Sequence, residues 1–384
     1  MLIVFAGSIA QFPIGGHAWA NLQYLCGLRD LGHDVYYLED FGEGCWFYLW
    51  GTDESSDDPE RAAAYLKDCL EPFGFGAHWT LRAGERTLGL PPDDFSELCS
   101  AADLLLVRAV AFRQWRPEYD WPRQRAFIDV DPGFTQASLA RGEPALNATL
   151  TRCERLFTVG QRIGADDCQV PLLGREWLPV LPPVWLPAWP CAEQTEASAP
   201  FTTIMQWRSY GEAHAYDCLR QNWEGYGQKD EAFGTYLDLP AHTARQMCLA
   251  LSGGPCERLR EHGWHVLTGW RATRTPELYR RFIQRSRAEF APAKRGYVLS
   301  RAGWFSDRSV CYLASGRPVL VEDTGLADWL PIGDGILTFR TLEEALAGIA
   351  AIEADYASHT RAARALAETR FATKCVLPQL LARL

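Results

Sequence analysis

The segment 302–309 has the residue types that bind phosphate groups: small residues, two serines and an arginine. It lies where a predicted strand gives way to a predicted helix, so backbone N–H groups and the positive end of the helix dipole converge there. Ser306 and Ser309 can cap the helix or donate hydrogen bonds, and Arg308 adds a permanent charge. Asp307 is unfavourable beside phosphate, so we expect it to face away, to pair with a cation, or to bind a sugar or ribose hydroxyl. The segment predicts an anion site, and helix capping without a ligand is the alternative.

Length and composition limit the kinds of protein this chain can be. Its 384 residues indicate two domains, and 47% apolar with 22% charged residues is typical of a soluble globular protein. The net charge of −10 and the isoelectric point of about 5.4 predict no nucleic-acid partner, because phosphate neutralisation needs a basic face. They leave room for a small anionic ligand held by two or three local cations.

Cysteine usage and the apolar runs predict a cytoplasmic protein. The 12 cysteines form no C-x-x-C pair and lie mostly in apolar stretches, which is typical of reduced thiols rather than of a zinc site. The chain opens with a strand instead of a signal peptide, and no apolar run reaches the roughly 18 residues of a membrane span. We therefore expect neither a metal site nor a membrane span.

The first forty residues predict a strand–helix–strand crossover. An apolar strand at 2–6 leads into a loop with Gly15 and Gly16. A helix at 18–31 and a strand at 35–38 follow. Because the loop lacks the G-x-G-x-x-G spacing, a dinucleotide oxidoreductase is disfavoured.

The rest of the chain alternates in the same way on both sides of a proline-rich linker, which spans 177–200. Ligands in such folds bind at the carboxyl ends of the strands. We therefore predict an α/β protein with two Rossmann-like domains that face each other across a cleft. The further predicted elements are strands 103–107, 126–130, 156–159 and 202–206, helix 241–251, strand 264–267, helix 276–287, strands 289–291 and 297–300, helix 310–314, strand 319–321, and helices 342–352 and 356–384.

Three stretches resemble the GT-B glycosyltransferases, which use a nucleotide-activated sugar. The GGH run at 15–17 and the LGHDV run at 31–35 are similar to the acceptor side of that superfamily. The QWR run at 206–208 and the QKD run at 228–230 resemble the ligands of the donor diphosphate. The segment 289–325, which includes ASGRPV, resembles the donor-binding half.

The resemblance implies an acceptor-binding domain at 1–190, a nucleotide-sugar-binding domain at 200–365, and a C-terminal helix at 366–384 that crosses back to the first domain. It implies transfer of a sugar from a UDP- or dTDP-sugar to the hydroxyl of an acceptor, a small molecule, with no further cofactor, by a monomer or homodimer. The alternatives are a nucleotide-sugar epimerase on the same fold and a non-catalytic protein that binds nucleotide sugars.

The resemblance also assigns roles to individual residues. His17 would remove the proton from the acceptor hydroxyl, and Asp131 would orient His17 or hold that hydroxyl. The ordinary alternatives are a capping histidine, a turn-forming aspartate, a solvated lysine and a polar turn after a strand. The remaining assignments are the acceptor loop Gly15 and Gly16, the diphosphate ligands Arg208, Lys229, Ser306, Arg308 and Ser309, and the donor-sugar ligands Asp323, Thr324 and Gly325.

Two features favour an inverting, metal-independent reaction. Many retaining members carry a glutamate seven residues before the proline of the Gly-x-Pro turn, and here that position, counted from Pro318, is Cys311. The one D-x-D triplet, 129–131, lies in the first half and away from the proposed donor site. Strand alternation also directs its two carboxylates to opposite faces. We therefore expect the leaving diphosphate to be neutralised by side-chain cations and a helix N-terminus.

Overall fold

The computed structural model describes residues 1–44, 46–49, 55–109, 111–191, 196–208, 227 and 229–384. The strands are β1 (Leu2–Ala6), β2 (Asp34–Asp40), β3 (Phe47–Tyr48), β4 (Ser55–Ser56), β5 (Trp79–Ala83), β6 (Arg86–Gly89), β7 (Leu104–Arg108), β8 (Gln124–Asp129), β9 (Arg155–Thr158), β10 (Leu178–Pro179), β11 (Phe201–Gln206), β12 (Met247–Ser252), β13 (His265–Thr268), β14 (Ala288–Ala291), β15 (Val319–Glu322) and β16 (Ile336–Phe339).

The α-helices run between and after these strands. They are α1 (Gly15–Asp30), α2 (Pro59–Leu70), α3 (Pro92–Ala101), α4 (Phe134–Ala140), α5 (Pro144–Arg152), α6 (Lys229–Ala232), α7 (Cys256–Glu261), α8 (Gly269–Thr273), α9 (Pro276–Arg285), α10 (Arg295–Ser300), α11 (Asp307–Ala314), α12 (Leu342–Ala354), α13 (Tyr356–Leu366) and α14 (Thr373–Leu381). A π-helical segment, Ala367–Phe371, joins the last two.

Two parallel-dominated sheets confirm the predicted α/β fold class. The first has the strand order β10-β9-β8-β7-β1-β2-β5-β6, and its β5–β6 pair alone is antiparallel. The second, ordered β13-β12-β11-β14-β15-β16, is parallel throughout. The short β3–β4 hairpin stands apart. The first sheet draws its strands from 2–179 and the second from 201–339, whereas the domain boundaries at 190, 200 and 365 stay a prediction.

The apolar runs of the central strands match their burial in the middle of the sheets. The LIVFA run of β1 and the VLVE run of β15 are almost entirely buried, as strands covered by helices on both faces must be. Helix α11 begins where the Ser306 side chain accepts from the Arg308 N–H, and it ends before Gly316, which has φ 70°. This left-handed conformation favours glycine and stops the helix.

Two predicted elements have the wrong type. Residues 297–300, predicted as a strand, belong to helix α10. The helix predicted at 241–251 is instead a 3₁₀ turn, Leu239–His242, followed by β12. The run MCLALS contains good helix formers, but it is short, apolar and flanked by two neighbouring strands, and periodicity cannot identify the type of such a run. Pairing with β11 and β13 therefore decided β12.

The proline-rich segment is packed rather than free over its first half. The Trp185 N–H donates to Gln23 of α1 at 2.6 Å, and the Trp185 indole N–H donates to Asp30 at 2.6 Å. Trp189 is fully buried, with its ring 5.0 Å from that of Trp19. These contacts tie the segment to α1.

The C-terminal helix α14 also packs on α1. A Cβ added at Gly27 would lie 2.5 Å from Thr373 and 2.6 Å from Leu377. We expect Gly27→Ala to lower the free energy of unfolding by about 1–3 kcal/mol, because overpacking outweighs the gain in helix propensity. Urea denaturation measures this effect. Gly234→Ala is the matched control, since nothing lies within 4 Å of its added Cβ, and equal stability of the two variants would contradict the close packing.

Candidate functional site

A cavity of about 600 Å³ lies between the carboxyl ends of the two sheets. This volume falls in the range of small-ligand sites. Its wall combines residues that follow β1, β7 and β8 of the first sheet with residues that follow β11 and β14 of the second and with the start of α11. The charged residues and the histidine of the wall are His17, Arg108, Arg113, Asp131, Arg141, Glu143, Lys229, Lys294, Asp307 and Arg308.

The Arg308 guanidinium anchors the second-sheet side. Its Nε donates to Glu289, which is completely buried on β14, and its Nη1 donates to the Ile204 carbonyl at 2.8 Å. Burial opposes the charge, yet Glu289 raises the pKa of Arg308 above its ordinary value. Arg308 therefore stays cationic inside the protein, next to the N-terminus of α11 that Ser306 caps.

Lys229 is a buried basic residue of this wall. It is 8% exposed, and no side-chain hydrogen bond joins it to another residue of the described ranges. Burial, then Arg308 and Lys294, lower the pKa of Lys229 well below its ordinary value, and Glu289 and Glu322 only partly offset them. An anion favours the charged form of a lysine, so a multivalent anion bound here would raise the pKa of Lys229 again.

Asp131 and Lys294 connect the two halves across the cavity. Lys294 Nζ lies 3.1 and 3.0 Å from the two carboxylate oxygens of Asp131, and the Tyr297 hydroxyl donates to the same carboxylate. Lys294 also lies 4.4 Å from the centroid of the Phe134 ring, and Tyr297 stacks on Trp304 with centroids 4.3 Å apart. Asp131 thus shares the cavity with Lys229 and Arg308, so the expectation that the D-x-D triplet lies away from the donor site is wrong.

The other carboxylate of that triplet faces away from the cavity. Asp129 is fully buried, where Thr135 donates to it at 2.6 Å and Thr158 at 2.8 Å. Burial raises the pKa of Asp129. Among the described residues no three His, Cys, Asp or Glu side chains are grouped as metal ligands. Metal independence stays a prediction.

His17 lines the first-sheet side of the cavity. Its Nδ1 is buried and has no hydrogen-bond partner among the described residues, and its ring lies 5.0 Å from that of Phe12. Burial and then the charge of Arg108 lower the pKa of His17 to about 3. The imidazole is therefore neutral near pH 7, and it becomes a stronger base when an anion offsets the effects of burial and Arg108.

Arg108 and Asp307 form a second contact between the halves. Arg108 ends β7, is 5% exposed, and lies 3.5 Å from an Asp307 carboxylate oxygen through its Nη2. The Asp307 carboxylate also accepts from the Arg308 N–H at 2.9 Å. Asp307 thus pairs with a cation, which is one of the arrangements considered for it.

Several predicted ligands lie outside the cavity wall of the described residues. The Arg208 side chain is exposed and pairs with Asp230. Ser309 is buried beside a second, much smaller void. Gly15 and Gly16 face Tyr279 of α9, so they allow close packing between the halves. Their roles as site residues stay predictions.

The predicted sugar-binding turn is occupied by bonds within the protein. One Asp323 oxygen accepts from the Gly325 and Leu326 N–H groups at 2.8 and 2.9 Å, and the other accepts from Arg340 at 2.6 and 3.0 Å. The Thr324 hydroxyl donates to the Trp304 carbonyl at 2.7 Å. The turn supports the loop that carries Trp304, and a direct contact with the sugar stays a prediction.

Sequence reasoning did not select Arg108 or Tyr297, and it did not predict that Lys294 contacts Asp131. Arg108 follows a predicted strand, so a charged residue at a carboxyl end was a usable signal. Lys294 and Tyr297 were hidden because residues 297–300 were assigned to a strand, which gives no reason for them to meet Asp131. The cavity therefore takes cations from both halves.

The helices of the described ranges include none that is both long and apolar enough to cross a membrane. No protein-family model and no curated protein matches the chain. Solved structures match it over almost its full length. An alpha-glucosyltransferase in complex with UDP-glucose and DNA containing an abasic site has a TM-score of 0.58 and 11% identity, covering 99% of this chain and 97% of that one.

Two further structures support the same fold. Sucrose-phosphate synthase from Thermosynechococcus elongatus has a TM-score of 0.53 and 11% identity, covering 100% of this chain and 98% of that one. Anabaena HepE in complex with UDP and glucose has a TM-score of 0.53 and 14% identity, covering 100% and 99%.

These structures correct one expectation and establish the fold. The prediction of no nucleic-acid partner is wrong, because alpha-glucosyltransferase structures that match this chain hold DNA. The net charge of a whole chain averages over its surface, whereas binding depends on a local face. At these identities the likeness concerns architecture, and this chain has the GT-B glycosyltransferase fold.

Proposed function

We propose that the chain transfers a sugar from a nucleotide-sugar donor to an acceptor hydroxyl. The observation that carries this proposal is the concentration of basic side chains in the wall of the cavity between the two sheets. The described wall has six arginine or lysine residues against three aspartate or glutamate residues, in a chain whose net charge is −10. Positive charge is concentrated where a diphosphate leaving group needs it.

The donor diphosphate would bind on the second-sheet side. Arg308 is held in place by Glu289 and Ile204, and Lys229 has no side-chain hydrogen bond to compete with a ligand among the described residues. The matched structures hold UDP-glucose in one case and UDP with glucose in another. A UDP- or dTDP-sugar is therefore the proposed donor.

The acceptor hydroxyl would lose its proton to His17. This imidazole is neutral near pH 7, and general bases act by accepting a proton within hydrogen-bond reach. Asp131, held by Lys294 and Tyr297, would position the acceptor. No cofactor enters this scheme.

The proposed stereochemical course is inversion, without a catalytic metal. Cys311 occupies the position at which many retaining enzymes of this fold carry a glutamate, and its thiol is buried against Gln23 at 3.6 Å. Burial raises the pKa of Cys311 well above its ordinary value, so it offers no carboxylate-like charge. Inversion needs no such carboxylate, because the acceptor oxygen displaces the nucleotide diphosphate in one step from the opposite face of the anomeric carbon.

Calorimetric titration of the full chain with UDP, dTDP and ADP tests the donor site. We expect micromolar binding of UDP or dTDP and weaker binding of ADP. Turnover of UDP-hexoses with a panel of hydroxyl acceptors, with and without EDTA, then tests transfer, and proton NMR of the product gives its anomeric configuration. The proposal is refuted if neither UDP nor dTDP binds.

The same experiment separates the alternatives. An epimerase would convert the donor without an acceptor and release no nucleotide. A sensor protein would bind the donor tightly and leave it unchanged. A 13-mer DNA duplex belongs in the acceptor panel, because the matched alpha-glucosyltransferases are seen with DNA.

A further inference from the structure

We propose that the acceptor carries an anionic group, a carboxylate or a phosphate, which binds to Arg108, Arg113 and Arg141 on the first-sheet wall of the cavity. This inference rests on the proposed function and names the chemical class of its acceptor.

Arg108 is the buried member of this set. It is 5% exposed at the end of β7, and its Nε has no partner among the described residues. Its contact with Asp307 is long, at 3.5 Å, and the Asp307 side chain is 48% exposed. Burying an arginine without a close bidentate partner is costly, so the site is built for a further anion.

Arg113 and Arg141 lie on the same wall nearer to solvent. Arg141 donates to the Ser138 hydroxyl at 3.2 Å, and neither guanidinium is paired with a carboxylate of the described residues. Among the described residues of this wall, Glu143 is the one acid besides Asp131, and Lys294 already pairs with Asp131. The first-sheet wall therefore keeps an excess of positive charge.

The donor does not account for this excess. Its diphosphate would bind to Lys229 and Arg308 on the opposite wall, and these cations come from the second half of the chain. The acceptor-side arginines come from the first half, beside His17 and the aromatic residues Phe112 and Phe134. An acceptor with an apolar or sugar body and one anionic group complements this wall.

Anion binding at Arg108 would also affect the base. The charge of Arg108 is the second cause, after burial, of the low pKa of His17. An anion that neutralises Arg108 removes this effect and makes His17 more basic. The base would then be strengthened when the acceptor is bound.

The test uses the full chain saturated with UDP, so that the donor cations are already occupied. The probes are four matched pairs: glucose 6-phosphate and glucose, glucuronate and glucose, phenyl phosphate and phenol, and benzoate and benzamide. Calorimetry gives each affinity. We expect at least one anionic probe to bind about tenfold or more tightly than its neutral partner, as charge-assisted bonds allow.

The variant Arg113→Gln/Arg141→Gln should reduce that preference below about threefold while UDP affinity stays within about twofold. Arg61→Gln, at an exposed arginine of α2, is the control. The inference is overturned if no anionic probe is preferred, or if the double variant keeps the preference. It is also overturned if the 13-mer duplex binds through these arginines while no small probe does. If UDP does not bind, the same test is run with dTDP, and failure of both to bind would instead refute the proposed function.

Discussion

Lys229→Met is expected to weaken UDP binding by about 10- to 100-fold, the value of a charge-assisted bond to a phosphate. The unliganded variant should be at least as stable as the natural protein. Lys229 is buried beside Arg308 and Lys294, which oppose its charge, and its removal leaves no described carboxylate without a partner. A residue kept for stability would give the opposite result.

Calorimetry and thermal unfolding measure the two effects. Because the pKa of Lys229 is lower in the folded chain, the unfolded chain binds more protons between the folded pKa and the ordinary lysine value. The stability of the unliganded protein should therefore contain a contribution that rises with pH in that window, and Lys229→Met should remove it. Lys67→Met, at an exposed lysine of α2, is the control. Unchanged UDP affinity in Lys229→Met would exclude the lysine from the donor site.

His17→Gln is expected to lower kcat by about 100- to 10,000-fold, the usual contribution of a general base. UDP affinity should change little, because the proposed ligands of the diphosphate, Lys229 and Arg308, belong to the second half of the chain. The acid limb of kcat/KM, which reports the free enzyme, should fall near pH 3, where the pKa of His17 lies, rather than near its ordinary value. The acid limb of kcat should lie higher, since bound anions favour the imidazolium.

Steady-state kinetics over the range pH 4–9 test this assignment, because an acid limb of kcat/KM near the ordinary histidine pKa would fall within that range and contradict the lowered pKa of His17. His33→Gln, at a histidine near the N-terminus, serves as the control. Asp131→Asn is the second variant to measure. If it lowers kcat strongly while kcat of His17→Gln stays within about threefold of normal, the Asp131 carboxylate is the base. In that case the fold and the donor site would stand, and the acceptor chemistry would need a new assignment.

The sequence predicted most strands because their residues are buried on both faces, as β1 and β15 illustrate. It failed at β12 and α10, where short apolar runs have no readable period and pairing or packing decides. The start of α11 was recognisable because a helix N-cap has local chemistry, and Ser306 does cap α11, whereas anion binding there stays a prediction.

Contacts between the halves could not be read from local patterns. Asp131 meets Lys294 and Tyr297 more than 160 residues away, so no spacing rule relates them. The turn at 323–325 shows the converse: its polar residues fit a ligand site by type, but their hydrogen bonds are satisfied within the protein. A polar residue that is available to a ligand can be told from one that is already hydrogen-bonded within the protein only when the contacts of its side chain are known.

Both α14 and the segment around Trp185 cover α1. The C-terminal helix therefore helps to bury the first helix of the chain. A fragment that stops at residue 190 would keep the segment around Trp185 but leave the face of α1 that α14 covers in water, and we expect it to aggregate. During synthesis the first sheet and α1 would leave the ribosome long before α14, which covers α1, has been made. Expression of the two halves from separate genes should give soluble material only when both are present together.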